Sequence, residues 1–164
     1  MSKPSIFVIY GNMDRDFISM NKLVCFLHQE GFHLTVQFGF SDIACSADLK
    51  SIFDFCTKDR FDEYIRAHDL ILSHAGVGAI SSALKANKLP LVLPRKYSLA
   101  EHVNDHQIDF VSHFRDEGIF IEISDEQDLL DAVKLKKFLK EPSRKCITNL
   151  EPIKRDLHSY LAEL

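Results

Sequence analysis

Six short apolar runs, all but one followed by a stretch of helical periodicity, constrain this chain more than any other feature. They cover residues 6–10, 33–38, 51–56, 69–73, 89–93 and 119–123. The first, I-F-V-I-Y, is continuous rather than alternating, which marks a strand covered on both faces. Helical spacing fills residues 16–30, with Phe17, Met20, Leu23, Val24 and Leu27 on one face, and Gly31 closes it. Further helices are predicted over 59–68 (Phe61, Tyr64, Ile65), 77–87 (Ile80, Ala83, Leu84), 105–117 and 125–139 (Leu129, Leu130, Val133, Phe138). Residues 41–49 and 95–104 read as polar, irregular connections. Strands separated by helices give a parallel sheet covered on both sides. With right-handed crossovers, six such strands predict a Rossmann-like, doubly wound α/β domain of order 3-2-1-4-5-6.

Bulk properties narrow the class. A chain of 164 residues is predicted to form one domain over 1–164. At this size folding buries roughly 70% of the unfolded chain's surface, so no metal or disulfide staple is required. The net charge is −4 with no long basic run, which argues against nucleic acid as a partner. Cys25, Cys45, Cys56 and Cys146 are scattered without a C-x-x-C pair and read as reduced thiols. No apolar run approaches the ~20 residues of a membrane span, and the start of the chain lacks the pattern of a secretory leader. The expected location is cytoplasmic, with any membrane contact made through a partner.

The predicted order sets strands one and four side by side at the switch point, so the turns at 11–15 and 73–78 share one crevice. Residues 70–86 read L-I-L-S-H-A-G-V-G-A-I-S-S-A-L-K-A, a strand passing through a glycine turn into a helix. Such a helix start leaves backbone N–H groups unpaired and suits a phosphate. The alternative is that Gly76 and Gly78 only let helix and strand approach closely. His74 stands at the mouth of the crevice, where it could donate a hydrogen bond to a phosphate oxygen or be satisfied by local backbone. Beyond strand five, E-H-V-N-D-H-Q at 101–107 places His102 and His106 four apart, but Val103 replaces the glutamate of a metal-binding H-E-x-x-H, and no metal is expected. Glutamate, asparagine and glutamine here suit sugar and ribose hydroxyls. Arg95 is either a phosphate contact or a solvated surface arginine.

Three segments together, S-H-A-G-V-G at 73–78, L-P-L-V-L-P-R at 89–95 and E-H-V-N-D-H-Q at 101–107, resemble the C-terminal, donor-binding half of MurG-type glycosyltransferases. More closely they resemble its small free-standing form, the catalytic subunit of two-part transferases in bacterial capsule and exopolysaccharide synthesis, related to the eukaryotic UDP-N-acetylglucosamine transferase subunit. The resemblance implies the C-terminal half of a GT-B fold, a UDP-sugar donor, inverting hexosyl transfer and no cofactor. It places His74 and the turn Ala75, Gly76, Val77, Gly78 and Ala79 at the diphosphate, and His106 with Gln107 at the donor sugar. Gly11, Asn12, Arg95, Glu101 and His102 complete the expected binding set. The sequence departs from many relatives at Asn12, Ala79 and Ser82, the last falling where larger relatives hold a ribose-binding glutamate. The resemblance further implies a heterodimer with a membrane-anchored, acceptor-binding subunit that brings a lipid-linked glycan and the general base. The final stretch from about 149, with Leu157, Tyr160, Leu161 and Leu164, either docks on that partner or packs back on its own domain. Two rival readings are a non-catalytic regulatory subunit and a dinucleotide-dependent oxidoreductase. The second places Ser81 at the third glycine position and the motif after strand four rather than strand one.

Overall fold

The computed structural model describes residues 3–43, 45 and 49–136. Its centre is a six-stranded parallel sheet of order β3-β2-β1-β4-β5-β6, the order expected from the sequence. The strands are β1 (Ser5–Ile9), β2 (His33–Gln37), β3 (Ile52–Phe53), β4 (Leu70–Ser73), β5 (Leu91–Val92) and β6 (Ile121–Glu122). The helices are α1 (Ile18–Gln29), α2 (Lys58–Ala67), α3 (Val77–Lys85), α4 (His106–Phe114) and α5 (Glu126–Lys136). β1 lies between β2 and β4, with Ile6 opposite Leu34 on one side and Leu70 on the other. It is therefore the doubly covered strand that its unbroken apolar run predicts, and Ile6, Phe7 and Val8 have no exposed surface.

Alternate residues of the sheet serve different layers. Ile6, Val8 and Tyr10 join Leu70, Leu72 and Leu91 in a core with α1 (Met20, Leu23, Val24, Leu27) and α5 (Leu129, Ala132, Val133). Phe7, Ile9 and Ile71 point the other way, against Ile65 of α2 and Ala79 and Ala83 of α3. Farther along that face, Val92 packs with Ile80 and Leu84 of α3 and Phe110, Val111 and Phe114 of α4. The period-2 pleat thus splits one apolar run between two cores.

Boundaries shift where local pattern meets tertiary contact. The third strand, expected over 51–56, pairs with β2 only at Ile52 and Phe53. The helix expected over 105–117 ends at Phe114 and tightens into a 3-10 turn, Arg115–Glu117, before Gly118 at φ +67°. A second 3-10 turn, Tyr97–Leu99, lies inside the connection expected to be irregular. The ammonium of Lys88 donates to the carbonyls of Ile65 and Arg66, at 2.7 and 2.8 Å, and to that of His68, closing the C-terminal end of α2. No helix among the described residues is long and apolar enough to cross a membrane. Phe138, Cys146 and the segment from about 149, with Leu157, Tyr160, Leu161 and Leu164, lie outside the described residues.

Candidate functional site

The crevice begins where β1 and β4 end together, Ile9 pairing with Ser73. Beyond that pair the chain turns at Gly11, at φ +83°, and passes through His74 to Gly76. The His74 imidazole fills the space between the two glycines. A Cβ on Gly11 would stand 2.6 Å from its Cε1 and Nε2, and one on Gly76 would run into Nε2 as well. These glycines are needed because the ring leaves no room for a side chain. The His74 amide donates to the Ile9 carbonyl at 3.1 Å, and its own carbonyl accepts from Gly76 at 2.8 Å. Burial, helped by the neighbouring Arg95 and His102, pushes the imidazole down to about 4, so the ring is neutral at pH 7.

A residue that the motif reading passed over holds the first turn. Gln37, at the end of β2, accepts from the Gly11 amide at 3.2 Å and donates to the Gly11 carbonyl at 3.2 Å and the Asp54 carbonyl at 2.8 Å. Gly39, at φ +61°, lies against the Gly11 carbonyl so closely that a Cβ there would clash with it. The sequence signal was a glutamine between Val36 and Phe38, just ahead of Gly39; its partners, 26 and 17 positions away, could not be read from the pattern.

The helix that leaves the crevice, α3, starts at Val77 with Gly76 as N-cap and no side-chain cap. The first backbone bond into this helix is donated by Ile80, to the Gly76 carbonyl at 3.1 Å. The amides of Val77, Gly78 and Ala79 are left as the helix's open donors. Beside them, a Cβ on Gly78 would meet nothing within 4 Å. The methyl groups of Ala75 and Ala79 face the two cores instead, so these residues offer only backbone. Three unpaired N–H dipoles at a helix start suit an anion.

Across the switch point, the start of α1 is occupied. The Ser19 amide of α1 donates to Glu101 Oε1 at 2.7 Å, and the Lys96 amide to Glu101 Oε2 at 3.0 Å. Arg95 lies beside it with no exposed surface. Its guanidinium donates to the carbonyls of Tyr10, Arg15 and Glu101, each at 3.0 Å, and lies over the Phe17 ring at 4.2 Å. Desolvation lowers Arg95 to about 10, countered by the Glu101 carboxylate, so it stays charged; its Nε alone finds no partner. Arg95 and Glu101 were expected on the ligand; both are enclosed and present no surface to one.

The remaining expected residues divide. Gln107 accepts from the Arg95 amide at 2.9 Å through its side-chain carbonyl, and so ties α4 to the end of β5. The Asn104 side chain accepts from the His106 amide at 3.2 Å, ahead of α4. His102 precedes that helix rather than sharing a face with His106; its Nδ1 accepts from the Asn104 amide at 3.3 Å, and desolvation lowers its pKa. Asn12 is exposed beside Gly11. The structure thus brings Gly11, His74 and Gly76 into direct contact, and joins the enclosed Arg95 and Glu101 with the half-buried Gln107 in a neighbouring cluster. Among the described residues, no group of three or more His, Cys, Asp or Glu side chains is placed to hold a metal ion.

Comparison with known proteins gives consistent matches. Residues 5–151 match the glycosyltransferase family 28 C-terminal domain. The fold is similar to the solution structure of ALG13, with a TM-score of 0.59 and 20% identity over 93% of this chain and 95% of that one. It is also similar to the glycosyltransferase of kitacinnamycin, with a TM-score of 0.59 and 17% identity over 97% of this chain and 40% of that one. SnogD from Streptomyces nogalater, a glycosyltransferase, gives a TM-score of 0.50 and 17% identity over 93% of this chain and 44% of that one. No curated protein matches the chain in sequence.

Proposed function

The chain belongs to the glycosyltransferase family 28 C-terminal domains, and from that membership we propose that it binds the UDP-sugar donor of an inverting hexosyltransferase. The observation that carries the reading is the open start of α3, where the Val77, Gly78 and Ala79 amides have no backbone partner and lie just beyond His74 in the chain. A diphosphate set there meets three N–H donors and the positive end of a helix dipole. The neutral His74 supplies a hydrogen-bond donor without a competing charge, and a bound dianion would raise its proton affinity. The occupied start of α1 disfavours the dinucleotide reading, in which the helix after strand one takes the pyrophosphate.

In the reaction, the acceptor hydroxyl oxygen bonds to the anomeric carbon from the face opposite the leaving group. The bond from that carbon to the β-phosphate oxygen breaks, its electron pair leaves on UDP, and the hydroxyl proton passes to a base. The amides of α3 stabilise the charge that develops on the departing diphosphate, a preorganised electrostatic contribution. His106 and the free amide end of Gln107 are the side chains proposed for the sugar hydroxyls. The acceptor, a lipid-linked glycan in polysaccharide synthesis, and the base come with a membrane-anchored partner subunit. This chain would then work as a cytoplasmic protein held at the membrane through that partner.

Titrating UDP into the purified chain tests the donor site. We expect saturable binding, with amide shift changes largest at Val77, Gly78 and Ala79. No heat and no shift change at millimolar UDP would overturn the reading.

A further inference from the structure

The β1–α1 connection is held by two side chains of the β5–α4 connection, Arg95 and Glu101. Within residues 10–17 the Tyr10 hydroxyl donates to Asn21 of α1 at 2.9 Å, but the cap residue Phe17 makes no capping hydrogen bond at the helix start. The anion at this helix start comes instead from Glu101, 82 positions along the chain, which also accepts from Lys96 in its own connection. From the same connection, Arg95 ties down the carbonyls of Tyr10 and Arg15 while holding that of Glu101. Both side chains are fully enclosed. Enclosing charge is a poor route to stability, since desolvation offsets much of the attraction; it serves better to fix one arrangement against others.

We infer that Glu101 is a positioning residue: its carboxylate acts as an internal anion that fills the start of α1 and, with Arg95, locks the two connections into one unit. That unit sets Gly11 against His74 and fixes the wall that faces the α3 amides. With α1 already supplied, an external diphosphate is left the α3 end. The last statement rests on the donor-site reading above; the locking of the two connections does not.

Amide hydrogen exchange on the whole chain, with Glu101→Ala and Glu101→Gln variants, tests the inference. In Glu101→Ala the amides of Ser19 and Lys96, and those of residues 11–17, should exchange about tenfold faster or more, with the β1 and β4 amides unchanged. Sodium acetate should restore that protection by filling the vacated carboxylate position, and sodium chloride at equal concentration should not. UDP affinity should fall and recover in parallel. Faster exchange confined to residues 95–101, with Ser19 still protected, would overturn the coupling. Joint loosening without an acetate response would overturn the internal-anion role. Should Glu101→Ala fail to fold, Glu101→Gln decides: its single carbonyl oxygen cannot serve both amides, so wild-type protection at Ser19 and Lys96 would overturn the inference. Failure of UDP to bind the wild-type chain would remove the donor reading and leave the exchange result to judge the lock.

Discussion

Gly76 and Gly78 stand one residue apart and have opposite reasons to be glycine. Gly76 has an ordinary φ of −90°, so what bars a side chain is the His74 ring alone. Gly78 is neither strained nor crowded; nothing in the protein forbids alanine there. Gly76→Ala should therefore cost about 1–3 kcal/mol by overpacking. It should weaken UDP binding because the displaced imidazole must enter the crevice. Gly78→Ala should leave stability unchanged or raise it by up to about 1 kcal/mol, since alanine is the better helix former. It should still weaken UDP by about tenfold, because its methyl group occupies the space before the open amides. Urea unfolding with UDP titration separates the two effects. Unchanged UDP affinity in Gly78→Ala would move the diphosphate off this turn. The glycines and His74 were legible in the sequence because strand, turn and helix lie within seventeen consecutive residues. Arg95 and Glu101 were misplaced because charged side chains are usually exposed. Their partners at Tyr10, Arg15 and Ser19 lie some eighty positions back, where no local pattern reaches.

Among the elements, α2 depends on a cap from outside itself. Its start is closed conventionally, with Thr57 Oγ1 accepting from the Arg60 amide at 3.4 Å. Its end has no glycine; Lys88, beyond α3, reaches back to three of its last carbonyls. Lys88→Met keeps the stem and removes the donors, and should destabilise the fold by about 1–3 kcal/mol, as expected for hydrogen bonds from a charged group. Equilibrium unfolding measures the loss, and UDP affinity should be unaffected because α2 does not border the crevice. A variant as stable as the wild type would show that water closes this helix end equally well. Elements of strong periodicity, α1 and α3 above all, were legible to within a residue or two. The short strands were not. β3, β5 and β6 are two residues each, since a strand ends where its neighbour's ladder ends, and that depends on register rather than on the run's own composition.

For the whole molecule, strand order was legible because crossover handedness and the alternation of runs leave few arrangements open. The distribution of apolar surface was not, since it follows from three-dimensional placement. Among the described residues, the large apolar side chains left exposed are Ile18, Phe40, Phe55, Tyr97, Leu99 and Val103. Each belongs to a segment leaving the carboxyl end of a strand, the end where the crevice opens. Phe40 and Phe55 meet edge to face, with ring centroids 5.0 Å apart. A chain with these side chains exposed at one end should behave as a macromolecular amphiphile, with that end as its greasy pole. In isolation it should form reversible dimers or small clusters in which those poles meet. Sedimentation velocity should show the clusters growing with ammonium sulfate rather than dissolving in it, because excluded salts strengthen apolar burial. The double variant Phe40→Ser, Phe55→Ser should shift the population towards monomer with the fold intact. A monomer throughout, whatever the sulfate concentration, would show those side chains to be too dispersed to act as a pole. Where clusters form, UDP should compete with them, and nucleotide in the buffer would act as a dispersant for the protein.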